Sequence, residues 1–106
     1  MLNEIKNHSY TWSKSWIEFK APNAEGVYSI LDKGGKAIFI GKGNIRQRLL
    51  SHWNHENSAD AVVWNYNPCS FLFELTDHPA DREAELIREL KPTCRQMSHS
   101  KFPKFW

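Results

Sequence analysis

The fold of this chain is decided by the stretch GVYSILDKGGKAIFIGKGNIRQRL, residues 26–49. Two short runs of mainly β-branched and aromatic residues flank a Gly-Gly pair, an arrangement typical of a β-hairpin. We expect strands over residues 27–31 and 37–40, with Gly34 and Gly35 supplying the positive φ angles of the turn. The centre of the domain is therefore predicted to be an antiparallel pair of strands.

The register of this hairpin brings an aromatic hydroxyl next to a glycine. With a two-residue turn, Lys33 lies opposite Lys36, and the pairing continues to Tyr28 opposite Gly41. Tyr28 and Phe39 then lie on the same face of the sheet as diagonal neighbours. Because Gly41 has no side chain, we expect open space beside the Tyr28 ring, and this space is a candidate pocket.

A basic helix follows the hairpin directly. Asn44 is a favourable N-cap, and Gln47 three residues later resembles the second half of a capping box, so we expect a helix to about Trp53. Apolar positions recur along one face of this helix: Ile45, Leu49 and either His52 or Trp53. Arg48 is predicted at the edge of that face.

The rest of the chain supplies one more strand and one more helix. Residues 54–70 hold Asn, His, Ser and Pro around a short apolar patch, which indicates a loop with about one helical turn. A third strand is expected over residues 71–75. A helix is expected from Pro79 to Lys91, after which a proline ends it. Residues 1–24 favour neither a helix nor an extended segment.

The last helix carries a carboxylate on its apolar face. The apolar residues with helical spacing are Ala80, Leu86, Ile87 and Leu90. Glu83 falls on the same face, three residues after the first of them. Because an unpaired buried charge is costly, this carboxylate needs a partner.

Length and composition indicate one folded domain. The chain has 106 residues, of which 41% are hydrophobic, enough for a single core. No apolar run approaches the roughly 18 residues needed to span a bilayer, so we expect no membrane partner. The two cysteines, Cys69 and Cys94, do not make a disulfide framework, which favours a reducing intracellular, cytoplasmic setting.

Basic residues are segregated along the chain, although the net charge is only +2. Five basic residues and no acid lie from Lys33 to Arg48, and four more with no acid lie from Lys91 to the end. A basic face suits a nucleic-acid partner, and chance clustering on a solvated surface is an equally open alternative.

The ordered motifs of the chain resemble the GIY-YIG nuclease domain family. Its two name-giving tripeptides correspond to residues 26–28 and 39–41. An asparagine with an arginine four residues later corresponds to Asn44 and Arg48, and a histidine four residues beyond that arginine corresponds to His52. The second tripeptide begins with phenylalanine where the family has tyrosine, which leaves a single candidate hydroxyl.

The resemblance continues downstream and covers most of the chain. A glutamate followed nine residues later by a proline corresponds to Glu83 and Pro92. We expect an N-terminal lead-in over residues 1–24, the GIY-YIG-like domain over 25–95 and a basic aromatic tail over 96–106. The fold implied is α+β, a small three-stranded antiparallel sheet flanked by helices.

The resemblance also implies a function, the hydrolysis of DNA phosphodiester bonds with a divalent metal, Mg²⁺ or alternatively Mn²⁺. Glu83 would be the single protein ligand of that metal, and Arg48 would hold the scissile phosphate. Tyr28 would position or deprotonate the attacking water, with His52 assisting it. The expected substrate-binding residues lie in the loop and helix start after the hairpin: Gly41, Lys42, Asn44 and Arg46.

Other interpretations stay open from the sequence alone. Tyr28 fits a half-buried strand tyrosine, and Arg48 with Glu83 fits an ordinary salt bridge. The chain also fits a non-catalytic module that binds DNA or RNA, because Phe39 replaces a tyrosine. A third alternative is a protein-interaction domain, monomer or homodimer, whose exposed aromatic residues include Trp12, Trp16, Phe102 and Trp106.

Overall fold

The computed structural model describes residues 9–56 and 58–94. The helices and strands within these ranges are β1 (Tyr10–Thr11), α1 (Lys14–Lys20), β2 (Glu25–Leu31), β3 (Ala37–Asn44), α2 (Ile45–Trp53), α3 (Ser58–Asn65), β4 (Ser70–Leu75) and α4 (Pro79–Leu90). The tail predicted over residues 96–106 lies outside the described residues. In the described part of the chain, no helix has the length and apolar character needed to cross a membrane.

One antiparallel sheet with the strand order β1-β4-β2-β3 forms the centre of the fold. The α+β class is confirmed, but among the described residues the sheet has four strands where we expected three. The additional strand, β1, pairs Tyr10 with Phe71 and Thr11 with Ser70. A two-residue strand is too short to show an alternating pattern, so this strand could not be predicted from the sequence.

The hairpin register is confirmed next to the candidate site. Tyr28 lies opposite Gly41, and Ile30 lies opposite Phe39. Both strands extend further than predicted, and β3 continues to Asn44, where α2 begins.

The hairpin turn is wider than predicted. Asp32, rather than Lys33, lies opposite Lys36, and the Asp32 N–H donates to the Lys36 carbonyl oxygen at 2.9 Å. Only the second glycine of the turn, Gly35, has a positive φ angle, of 84°. Leu31 pairs with Ala37 and Ile30 pairs with Phe39, so Ile38 is an extra residue in β3. This extra residue compensates for the wider turn and restores the expected pairing further along the strands.

Different helices cover the two faces of the sheet. On one face, Tyr28 belongs to the larger hydrophobic core together with Ile45 and Leu49 of α2. On the other face, Val27 belongs to a second core with Leu86 of α4. Side chains alternate along a strand, so neighbouring residues of β2 contribute to opposite cores.

The described part of the lead-in, residues 9–24, belongs to this packed unit. Ser13 caps α1 by accepting a hydrogen bond from the Trp16 N–H at 3.2 Å. Trp12 is buried against Trp53 and Trp64, so the expectation that it is exposed to a partner is wrong. Trp16 is exposed, as the alternative of a protein-interaction domain requires.

Helix α3 replaces most of the loop predicted over residues 54–70. Its eight residues include Val63, which is fully buried in the larger core, and Trp64, whose indole N–H donates to the His52 carbonyl oxygen at 3.0 Å. Tertiary packing therefore stabilises a helix whose polar flanking residues predicted a loop.

Helix α4 begins and ends as predicted. Pro79 occupies its first turn, and Lys91 ends it in the left-handed conformation at φ 47°. Leu86 and Glu83 are buried, whereas Ala80 is exposed, so its assignment to the apolar face is wrong.

Candidate functional site

The candidate residues lie around β3, which forms one edge of the sheet. Tyr28 of the neighbouring strand β2 lies on the face covered by α2, and Arg48 of α2 approaches the same face. A Cβ atom added to Gly43 would lie 3.2 Å from the Arg48 Cγ atom. Glu83 comes from α4 on the opposite face. The edge strand thus separates two halves of one site.

The Tyr28 ring occupies the space above Gly41. Tyr28 is 1% exposed, and a Cβ atom added to Gly41 would overlap its hydroxyl group and its ring. The prediction of an open pocket beside Tyr28 is therefore wrong. Gly41 is needed because the tyrosine crosses directly over the edge strand.

We expect Gly41→Ala to lower the free energy of unfolding by about 1–3 kcal/mol, because the added methyl group collides with a buried ring. Denaturant unfolding measures this change. Gly34→Ala is the matched control: its nearest neighbour would be Asp32 Oδ1 at 3.4 Å, an ordinary contact. Equal effects of the two substitutions would contradict the close packing of Tyr28 on Gly41.

A chain of three polar side chains starts at the Tyr28 hydroxyl. The hydroxyl oxygen lies 2.6 Å from His52 Nε2, and His52 Nδ1 lies 2.5 Å from Asp60 Oδ1. His52 is 3% exposed and Asp60 is fully buried. Asp60 comes from the first turn of α3, so the helix that the sequence did not predict supplies the inner end of this chain.

Burial raises the pKa of Tyr28 well above its ordinary value, and the nearby Glu83 and Asp60 carboxylates raise it further. The charge and hydrogen bond of the Arg48 guanidinium act in the opposite direction but do not outweigh burial. Tyr28 therefore holds its proton at neutral pH. Any role as a base requires an acceptor for that proton, and His52 Nε2 is within hydrogen-bond distance.

Phe39 forms an apolar wall beside this chain. Its ring centroid lies 4.8 Å from that of His52, edge to face, and 6.4 Å from that of Tyr28. Such contacts hold aromatic rings in a fixed orientation. The phenylalanine at this position therefore contacts both residues of the Tyr28–His52 hydrogen bond.

Glu83 lies on the other side of the edge strand, next to Lys42. The Glu83 side chain is only 10% exposed, and its Oε1 atom lies 3.9 Å from Lys42 Nζ. This ion pair offsets part of the cost of burying a carboxylate. It also supplies the partner that the sequence required for Glu83, a lysine of β3.

The preceding residue of α4 ties the helix to the sheet. Arg82 donates to both carboxylate oxygens of Glu74 in β4, at 3.0 and 3.1 Å, and to Glu85 at 3.0 Å. The bidentate pair with Glu74 is the largest cause of the raised pKa of Arg82. A guanidinium held in this way fixes the position of the helix that carries Glu83.

Comparison with known proteins places this geometry in a family. The chain is similar to the crystal structure of the GIY-YIG N-terminal endonuclease domain of UvrC from Thermotoga maritima bound to its catalytic divalent cation, magnesium. The TM-score is 0.64 with 25% identity, covering 76% of this chain and 91% of that domain. A point variant of the same domain, with phenylalanine in place of one tyrosine and a bound catalytic divalent cation, gives a TM-score of 0.64 with 26% identity over the same shares.

Sequence comparison agrees with the structural match. The chain is 31% identical over 75 residues to UvrABC system protein C of Dictyoglomus thermophilum, a match that covers 67% of this chain. This chain belongs to the GIY-YIG nuclease domain family. No family model matches it.

The match covers only a small part of the longer relatives. The chain spans 12% of the length of the Dictyoglomus protein and 7% of that of UvrABC system protein C from Christiangramia forsetii. The second match is 36% identical over 42 residues, 39% of this chain. The matched part is thus one domain-sized segment of these longer proteins.

The donor set of this GIY-YIG domain fits a magnesium ion. Glu83 offers hard carboxylate oxygens, and Mg²⁺ in proteins commonly keeps several waters and uses one or two carboxylates. Within the part of the chain that the structure describes, no three His, Cys, Asp or Glu side chains group as a metal site. A mostly hydrated ion anchored by Glu83 meets this pattern, whereas a closed zinc site needs more ligands.

Two of the four expected substrate-binding residues lie beside Tyr28 or Glu83, and the other two make hydrogen bonds that hold helix α2 in place. Lys42 lies beside Glu83, and Gly41 lies beneath Tyr28. The Asn44 side chain caps α2, accepting from the Gln47 N–H at 3.0 Å. Arg46 Nε donates to the Ala21 carbonyl oxygen at 2.9 Å and so connects α2 to the end of α1.

Sequence reasoning missed Asp60. The available signal was its spacing: Asp60 precedes Val63 by three residues and Trp64 by four, so a helix places all three on one face. A carboxylate on the buried face of a short helix needs a polar partner, as Glu83 does. Because we predicted a loop for this segment, we did not apply helical spacing to these residues.

A cleft of about 410 Å³ adjoins the Lys42 side of the site. The cleft is lined by residues at the start of β2, near the end of β3, just before α4 and in its first turn: Glu25, Lys42, Gly43, Asp77, His78, Pro79, Ala80 and Asp81. The cleft therefore provides space between the edge strand and the helix that carries Glu83.

Proposed function

We propose that this chain is a divalent-metal-dependent endonuclease that hydrolyses DNA phosphodiester bonds. One observation carries the proposal. The Tyr28 hydroxyl with Arg48, and the Glu83 carboxylate, approach the same edge strand from its two faces. A phosphodiester at this edge would meet a cation for its charge, a hydroxyl for its attacking water and a metal ligand.

Arg48 is proposed to hold the scissile phosphate. Its planar guanidinium suits the geometry of phosphate oxygens, and the side chain is exposed beside Gly43. A positive charge held there stabilises the negative charge that grows on the phosphate during attack. Lys42 adds a second cation on the other side of the strand.

Glu83 is proposed to anchor the metal. Mg²⁺ is the first candidate, since the Thermotoga domain binds magnesium as its catalytic divalent cation, and Mn²⁺ is the alternative. When bound, the ion supplies Lewis-acid stabilisation of the reacting phosphate.

Tyr28 is proposed to orient the attacking water and take its proton. Because its pKa is raised, Tyr28 begins the reaction as a neutral hydroxyl that passes its proton to His52. His52 is thus proposed as the assistant that makes the tyrosine an effective base.

The domain limits, the roles of Asn44 and Arg46, and the cellular setting are also part of this proposal. Residues 25–95 are proposed as the nuclease domain, with 96–106 as a separate tail. Asn44 and Arg46 are proposed to act on substrate mainly by holding the start of α2 in place. A DNA substrate and the unpaired thiols of Cys69 and Cys94 support an intracellular setting. RNA is an alternative nucleic-acid partner, tested by binding, and the monomer or homodimer state is measured by sedimentation.

Cleavage of labelled duplex, flap and branched DNA with Mg²⁺, Mn²⁺ or EDTA tests the proposal. We expect metal-dependent cleavage by the wild type and a loss of about 10²-fold in Arg48→Ala, because a stabilising charge is removed from the transition state. Arg88→Ala, which removes an exposed arginine of α4, is the matched control and should cleave normally.

Two outcomes would reject or redirect the proposal. Salt-sensitive DNA or RNA binding by the wild type without cleavage in either metal would favour the binding module, and Phe39→Tyr would then be the first variant to test for restored cleavage. Equal losses in the Arg48 and Arg88 variants would remove Arg48 from the site.

A further inference from the structure

The innermost part of the site is a buried Asp–His–Tyr arrangement. Asp60 contacts one ring nitrogen of His52 and the Tyr28 hydroxyl contacts the other. A carboxylate is an acceptor when ionised, and a neutral imidazole carries a single N–H. If Nδ1 carries that hydrogen, it donates to Asp60 and leaves Nε2 as the acceptor for Tyr28.

The scaffold around His52 allows little freedom of orientation. Phe39 lies edge to face against the imidazole ring, and the Trp64 indole N–H donates to the His52 carbonyl oxygen. Both Asp60 and Trp64 belong to α3, so one helix holds the backbone and the ring of His52. Burying Asp60 completely is costly unless it is paired, and its contact with His52 offsets that cost.

We propose that Asp60 is a positioning residue that fixes the His52 tautomer, so that Nε2 is free to receive the Tyr28 proton. This inference rests on the proposed nuclease function for its catalytic consequence. The tautomer itself is a property of the folded chain and does not depend on cleavage.

In the proposed reaction, the proton of the attacking water is exchanged through Tyr28 to His52. The oxygen of a water bonds to phosphorus while one of its protons passes to Tyr28 Oη, and the Tyr28 proton passes to His52 Nε2. The bond from phosphorus to the leaving oxygen breaks, and that oxygen takes a proton from solvent. His52 becomes an imidazolium paired with Asp60, and it later returns its proton to solvent.

Nitrogen-15 NMR of wild-type protein labelled at histidine gives a direct test at neutral pH. His52 is assigned by comparison with His52→Gln. We expect a protonated Nδ1 and an unprotonated Nε2 on this ring. A ring protonated at Nε2, with or without a hydrogen on Nδ1, would overturn the proposal, whatever the nuclease assay gives.

The variants Asp60→Asn and Asp32→Asn extend the test. Asp32 lies in the hairpin turn and its asparagine variant keeps a carbonyl acceptor, so this control should retain the wild-type histidine signals. In Asp60→Asn we expect the His52 signals to report a mixture of tautomers. Thermal unfolding of both variants separates this change from loss of the fold.

The consequence for cleavage is measured separately under single-turnover conditions. We expect Asp60→Asn to lower the rate by about 10²-fold with unchanged DNA affinity, because general-base assistance is weakened while substrate contacts remain. An unchanged rate in a variant with altered tautomers would reject the positioning role. A wild type that cleaves no DNA but has the expected tautomer would instead reject the proposed function.

Discussion

Replacing Glu83 with glutamine is expected to lower DNA cleavage by at least about 10³-fold, because the amide removes the anionic ligand proposed for the metal. The loss should appear in the single-turnover rate and in metal affinity, measured by calorimetry with Mg²⁺ and Mn²⁺. Glutamine preserves the side-chain volume in this nearly buried position, so the fold should be retained.

The matched control for this prediction is Glu89→Gln. Glu89 lies on the same helix but is exposed, so its substitution changes the net charge equally without touching the site. Excess metal should not restore the rate of the Glu83 variant to that of the control. Full activity of Glu83→Gln at ordinary metal concentration would remove Glu83 as the anchor.

The hairpin register near the site is predicted by counting back from a two-residue turn. The predicted pairing is correct although the predicted turn is not. Asp32 takes part in a wider turn than expected, and one extra residue of β3, Ile38, restores the pairing of Tyr28 with Gly41. Burial of the Tyr28 side of β2 makes a slipped register costly, since a slip exchanges the two faces.

The sequence could not predict that the Tyr28 ring fills the space above Gly41. Pairing places Tyr28 and Gly41 opposite each other, but it does not give the direction of the ring. The ring crosses the glycine towards His52 and Arg48, and this direction depends on helix α2 packing over the strands. Side-chain rotamers selected by tertiary contacts are not encoded in a two-residue pattern.

The sequence pointed to Glu83 as a candidate site residue but did not point to Asp60. Glu83 lies in a helix of twelve residues with clear limits, so a carboxylate on its apolar face was visible. Asp60 lies in an eight-residue helix, which is too short to be stable by itself and is held by Val63 and Trp64 in the core. The spacing of Asp60 to Val63 and Trp64 becomes a signal only once this helix is assumed, and the local sequence did not predict the helix.

Replacing Tyr28 with phenylalanine is expected to lower the cleavage rate by about 10³-fold, because it removes the hydroxyl through which the water loses its proton. The ring and its contacts with Phe39 and Gly41 are kept, so the protein should stay folded, and the loss of stability should be limited to that of the broken hydrogen bond with His52. DNA affinity should be unchanged, since Arg48 remains to hold the phosphate.

Tyr66→Phe is the control, because Tyr66 is 44% exposed and lies in the loop after α3. Removing the Tyr28 hydroxyl also leaves His52 Nε2 without its partner, whereas Nδ1 keeps Asp60. A His52 tautomer unchanged in Tyr28→Phe, together with a lost rate, would separate the two contributions: Asp60 orients the imidazole, and the tyrosine carries the proton from water to it. An equally small loss in the Tyr28 and Tyr66 variants would instead assign the base to another group and leave Tyr28 as a packing residue over the edge strand.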